Sequence, residues 1–131
     1  MKFKFIFASI VLLAIAACSK EEGPGGNCTI EGKVYVLDYN QELTTKLGEY
    51  YGSEINVYLI YGDDIIYSED FKTNYDGSYR FDYLKPGKYT VFTYSEDTTQ
   101  TSEDNKFAIF KTVEFTKNNL TTSLEDFIIV R

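Results

Sequence analysis

The sequence predicts an all-β fold, a seven-stranded antiparallel Greek-key β-sandwich. From Thr29 onward, apolar and polar residues alternate in stretches rich in Tyr, Phe, Val, Ile and Thr, the types that suit a pleated, half-buried surface. Turn signals of Gly, Pro, Asn and Asp separate these stretches at short intervals. The length of 131 residues allows one domain, and about a hundred residues in two layers can bury enough apolar surface to fold without disulfides.

The elements follow in order. The first strand covers Thr29 to Leu37, with Ile30, Val34 and Val36 on one face and Gly32 among them. Between it and the second strand, Glu54 to Tyr61, Leu43, Leu47 and Tyr50/Tyr51 are spaced for a short helical turn. Gly62-Asp63-Asp64 turns into a third strand, Ile65 to Phe71, and Asn74-Tyr75-Asp76-Gly77 into a fourth. In the fourth, Tyr79, Phe81 and Tyr83 alternate with Ser78, Arg80 and Asp82. Leu84-Lys85-Pro86-Gly87 leads to a fifth strand, Lys88 to Tyr94. A sixth covers Lys106 to Thr116, and Lys117-Asn118-Asn119 turns into the last, Ser123 to Val130.

The first 17 residues stand apart from this pattern. Lys2 and Lys4 precede an apolar run from Phe5 to Ala16 broken only by Ser9; it is too short for a permanent membrane span and has the length of a signal-peptide core. The run ends in Ile15-Ala16-Ala17-Cys18, which resembles the lipobox of bacterial lipoproteins. That resemblance implies cleavage before Cys18 and lipidation of its thiol, with membrane attachment through the N-terminal lipid. Ser19-Lys20-Glu21-Glu22 resembles the acidic tag of outer-membrane lipoproteins, and Gly23-Pro24-Gly25-Gly26 reads as a flexible tether. The expected organisation is therefore a signal peptide over 1–17, a lipidated Cys18 and tether over 18–27, and the β-domain over 28–131. The expected location is the outer membrane of a Gram-negative envelope.

Removing Lys2 and Lys4 leaves 11 basic against 20 acidic side chains, a net charge of −9. Such a domain repels nucleic acid and anionic lipid. With Cys18 acylated, Cys28 is left without a disulfide partner and reads as a small buried residue. Histidine, the commonest general base and metal ligand, does not occur.

Gly32-Lys33-Val34, then Thr73-Asn74-Tyr75-Asp76-Gly77-Ser78-Tyr79-Arg80-Phe81 followed by Leu84-Lys85-Pro86-Gly87-Lys88-Tyr89-Thr90-Val91, resemble the pattern of carboxypeptidase regulatory-like and transthyretin-like domains. Collagen-adhesin B-type repeats and starch-binding-like sandwiches share it. The resemblance implies an immunoglobulin- or transthyretin-like sandwich and names no activity. The residues themselves have structural roles: Gly77 supplies a positive φ after Asp76, and Pro86-Gly87 suits a type II turn. The Lys–Asn isopeptide bond of some adhesins lacks its Asn, since Asp126 is the only short carboxyl in the last strand.

Alternating strand direction places residues 38–53, 72–77 and 95–105 at the end of the sandwich opposite the tether. Tyr39, Tyr50, Tyr51 and Tyr75 in these segments are the candidate contacts for a glycan or protein ligand. Asp38, Asp76, Glu96, Asp97, Glu103 and Asp104 are oxygen donors of the kind Ca²⁺ takes, but without EF-hand spacing they read as solvated loop charge, and no metal or cofactor is expected. Carboxylate pairs such as Asp63/Asp64 and Glu69/Asp70 are sequence neighbours that point to opposite faces of a strand. They cannot share a cleft, and the chain reads as a non-catalytic binding module. The alternative is a structural spacer or accessory subunit of an envelope assembly, working through a sheet face or edge.

Overall fold

The structure is a computed structural model and describes residues 21–131. Cys18 and the signal-peptide reading lie outside the described residues. Nine strands make up the fold, with no helix among the described residues: β1 Pro24–Tyr39, β2 Lys46–Tyr51, β3 Asn56–Tyr61, β4 Glu69–Lys72, β5 Ser78–Leu84, β6 Gly87–Glu96, β7 Lys106–Phe115, β8 Thr121–Ser123 and β9 Phe127–Val130. They form a 5-stranded and a 4-stranded sheet. One apolar core draws on both, with Ile30, Val34, Val36, Tyr79, Phe81 and Phe127 from the first and Val57, Leu59, Tyr89, Val91 and Phe115 from the second.

The 16-residue β1 is the axis of the first sheet. The Val34 amide donates to Gly77 O and its carbonyl accepts from Gly52 N. A residue in a strand turns both backbone groups to one side, so β5 and β2 lie end to end along the same edge of β1. Thr29, Glu31, Leu37 and Tyr39 bond on the opposite side, to Leu120, Leu124 and Arg131, where β8 and β9 run parallel to β1. The second sheet is antiparallel in the order β4-β3-β6-β7.

These facts correct several expectations. The strand count is nine rather than seven, and the pairing is not antiparallel throughout. The chain leaves β7 where Phe115 pairs with Gly87, crosses to the first sheet and starts β8 beside Thr29; entering at the same end as β1, it must run parallel to it. The expected last strand is split into β8 and β9, because the pairing passes from Glu31 opposite Ser123 to Val34 opposite Phe127, which leaves one extra residue on the side of the last strand. Residues 46–51 are strand rather than helix: β1 extends to Tyr39 and offers them an edge, pairing Tyr35 with Tyr51 and Leu37 with Glu49. The third predicted strand shrinks to β4, with Ile65 and Ile66 in the connection before it. Tyr83 does not continue the inward face of β5. Cys28 pairs with Leu84 and Ile30 with Phe81, so β5 carries one extra residue there; Tyr83 takes φ 59° and is 70% exposed while Leu84 fills the core.

The stretch read as a tether is mostly structured. Gly23 donates its amide to the Tyr89 hydroxyl at 3.0 Å, and that hydroxyl donates to Lys85 O at 2.6 Å. Lys85 N donates to Gly23 O at 2.8 Å, and β1 begins one residue later at Pro24. Cys28 is buried, its sulfur 3.4 Å from Lys117 O.

Candidate functional site

The structure disperses the four tyrosines expected to form a recognition surface. Tyr39 ends β1, where its amide donates to Arg131 O at 2.8 Å. Tyr50 and Tyr51 are neighbours on β2 and project to opposite faces. The Tyr50 phenol donates to Asp38 at 3.2 Å and the Tyr51 phenol to Asp126 at 2.8 Å. Tyr51 also packs edge-on against Tyr35 at 5.0 Å, with the Lys33 ammonium 5.0 Å from its ring centre. The hydrogen bond to Asp126 chiefly, and for Tyr50 burial chiefly, pushes these phenols up. Tyr75 stands alone, 91% exposed. Among the described residues none of the four rings stacks on another.

Of the three loops expected at one end, two meet. Gln100 Nε2 donates to Glu42 O at 3.2 Å, joining residues 40–45 to 97–105. Residues 73–77 instead fill the seam between β2 and β5, where Thr73 Oγ1 donates to Gly52 O and Gly77 O receives the Val34 amide. The acids are separately engaged. Asp76 holds Ser78, Glu96 lies 3.7 Å from Lys106, and Asp97 accepts from Thr99, Thr101 and Ser102. The Thr99 hydroxyl foremost, then the Ser102 and Thr99 amides, hold the Asp97 carboxyl well below the usual carboxylate range. Among the described residues no three acidic or cysteine side chains converge on a cation site.

A different constellation lies on the outer face of the second sheet. Val57, Leu59, Tyr89 and Val91 face the core, so Tyr58 on β3, Phe92 and Tyr94 on β6 and Phe110 on β7 face outward. Register aligns them: Tyr58 is opposite Phe92, and Phe92 is opposite Phe110. Tyr58 and Phe92 stack at 4.9 Å and 19°, Phe92 and Phe110 lie 5.4 Å apart, and Tyr67 caps Tyr58 at 4.7 Å. Tyr94 meets Phe92 edge-on at 5.6 Å. The row crosses the sheet perpendicular to its strands; Phe92 is nearly covered by its neighbours, while Tyr67, Tyr94 and Phe110 are exposed. Burial foremost, then the nearby Tyr67 and Tyr94 hydroxyls, raises the Tyr58 phenol, which stays a neutral donor at physiological pH.

Polar groups border the row. Asp70 is opposite Tyr58 and Lys72 opposite Asn56. A cleft of about 260 Å³ opens beside Tyr58 and Tyr94, with Asn56, Glu96, Lys106 and Arg131 in its wall. An aromatic surface running into a polar cleft can stack on the C–H faces of a ligand while fixing its hydroxyls with charged and amide groups. The signal for it lies in phase: β3, β6 and β7 carry large aromatics in the register that should be polar if that face only met water.

No protein-family model matches the chain, and no curated protein matches it. The crystal structure of a "putative carbohydrate binding protein" from Pseudomonas aeruginosa is similar at 14% identity and a TM-score of 0.48, over 88% of this chain and 94% of that one.

Proposed function

We propose that this chain is a lipoprotein of a Gram-negative outer membrane, attached through Cys18, whose transthyretin-like β-domain is a non-catalytic module binding a saccharide across the outer face of the β4-β3-β6-β7 sheet. The carrying observation is the row from Tyr67 through Tyr58 and Phe92 to Phe110, flanked by Tyr94 and continuous with the Asn56–Glu96–Lys106 cleft. Cross-strand aromatic pairing stabilises a sheet by itself, but that role does not need exposed rings at Tyr67, Tyr94 and Phe110 next to a polar cleft. Sugars present alternating C–H faces and hydroxyls, and this face offers partners for both.

The test is a glycan array with the mature protein, followed by calorimetry on the best ligand. Tyr94→Ala and Phe110→Ala should each weaken binding about tenfold, the loss of one desolvated ring contact, while leaving thermal unfolding nearly unchanged. Tyr50→Ala should bind normally. Wild-type affinity in both sheet-face variants would exclude this surface.

The same exposed rings also favour a second reading, an accessory subunit of an envelope assembly that buries this face against a protein partner. A silent array, with crosslinks from Phe110 to one envelope protein that Tyr94→Ala removes, would establish that reading instead.

A further inference from the structure

We infer that residues 62–66, the first part of the connection between β3 and β4, form a lipid-contacting tip at the anchored end of the domain, with Ile65 and Ile66 entering the headgroup region of the bilayer that holds Cys18. The inference rests on the lipid-anchor reading. Ile65 is 97% exposed and Ile66 75%, two adjacent β-branched apolar side chains in a connection that gives them nothing to pack on. A buried strand would account for such residues, but β4 starts only at Glu69.

The position of the chain's entry says what covers them. Glu22 lies against the start of this connection: a Cβ on Gly62 would fall 2.9 Å from Glu22 Oε1, and Lys88 N donates to Glu22 Oε2 at 3.2 Å. Gly62 N in turn donates to Lys88 O at 2.8 Å. Gly23 is then fixed by Tyr89 and Lys85. Four residues of fully extended chain span at most about 14 Å, so an acylated Cys18 cannot lie farther than that from Glu22. A lipid anchor this close brings the end of the domain carrying residues 62–66 to the membrane surface. Tyr83, exposed by the β5 bulge, lies at the same end, where β5 meets the start of β1, and tyrosine suits a headgroup boundary. Asp63 and Asp64 beside the isoleucines disfavour anionic lipid, so the fitting surface is zwitterionic.

The test uses the native lipoprotein extracted from membranes and reconstituted into phosphatidylethanolamine–phosphatidylcholine vesicles. Single cysteines, Ile66→Cys and, at the opposite end, Glu42→Cys, carry an environment-sensitive fluorophore; Cys28 is buried and should not label. A nitroxide lipid should quench the label at 66 and leave that at 42 bright, and Ile65→Asp in the Ile66→Cys protein should abolish the quenching. Both sites are exposed, so these variants should fold as the parent does. Flotation and the mass of the N-terminal peptide report the anchor separately. An acylated, vesicle-bound protein with position 66 as bright as 42 overturns the lipid-contacting tip and leaves the anchor standing. A chain with no acyl mass that fails to float overturns the anchor and the tip together.

Discussion

Tyr79 carries a phenol hydroxyl into the core, where it is buried and has no hydrogen-bond partner among the described residues. Burial foremost, with Asp126 adding to it, pushes this phenol up, so it stays protonated at physiological pH. An unpartnered buried hydroxyl costs about 1–3 kcal/mol. Tyr79→Phe keeps the ring contacts with Phe81 and Phe127 and should raise stability by about 1 kcal/mol in urea unfolding; a loss instead would mean that the hydroxyl has a stabilising role. The same atom explains Gly32, where a Cβ would lie 2.4 Å from the Tyr79 oxygen. Gly32→Ala should cost about 1–3 kcal/mol through overpacking, read in the same experiment. Both residues are in the motif read from the sequence. Gly77 takes φ 80° after Asp76, and Tyr79, Phe81, Tyr89 and Val91 are buried, as the motif implies; the type II turn expected at Pro86-Gly87 does not form, since Gly87 takes φ 142° and Lys88 N donates to Glu22. Such local features are legible because they depend on single residues and their immediate neighbours.

At the scale of an element, the connection between β6 and β7 is organised by one carboxylate. Asp97 Oδ1 accepts from Thr99 N and Oγ1 at 3.0 and 2.6 Å, and Oδ2 accepts from Ser102 N at 3.0 Å. Since the folded pKa is depressed, the Asp97 contribution is fully present above the unfolded value of about 4 and is lost as pH falls below it. The hydrogen-exchange protection factor of the Ser102 amide should fall with pH below that point, and in Asp97→Ala it should be low and flat across the same range. Tyr89 plays the corresponding part at the start of β1. Tyr89→Phe removes the bonds to Gly23 N and Lys85 O and should make the Glu22–Gly23 segment a protease-sensitive leash while the core stays folded; unchanged cleavage would show that the Lys85–Gly23 bond suffices. The elements that sequence reasoning missed are those decided by partners far along the chain. Residues 46–51 carry Leu47 and tyrosines at a spacing that also suits a helix, and only the free edge of β1 makes them a strand. Ile65 and Ile66 have the residue types of a strand, and only the absence of a facing edge leaves them in a connection.

Over the whole molecule, the long connections 40–45 and 97–105 do lie at the end away from the first residues of β1. The expectation that they would carry the recognition surface relied on loops being free, and here the tyrosines of β1 and β2 are tied to Asp38, Arg131 and Asp126. The aromatic row was hidden in the sequence because it is assembled across three strands and one connection, and its alignment depends on register. Under the proposed anchoring, a lipid at one end would set the outer face of the second sheet roughly upright beside the membrane, open to a ligand approaching along it.

The docking of Glu22 and Gly23 also has a mechanical consequence. A pull on the amino-terminal end enters the fold along the length of β1, which is held by β5 and β2 on one side and by β8 and β9 on the other. Such a load shears many backbone bonds together instead of peeling them one at a time. In a force spectrometer, pulling between the amino terminus and Phe110 should therefore meet a high rupture force, and pulling across β7 a low one.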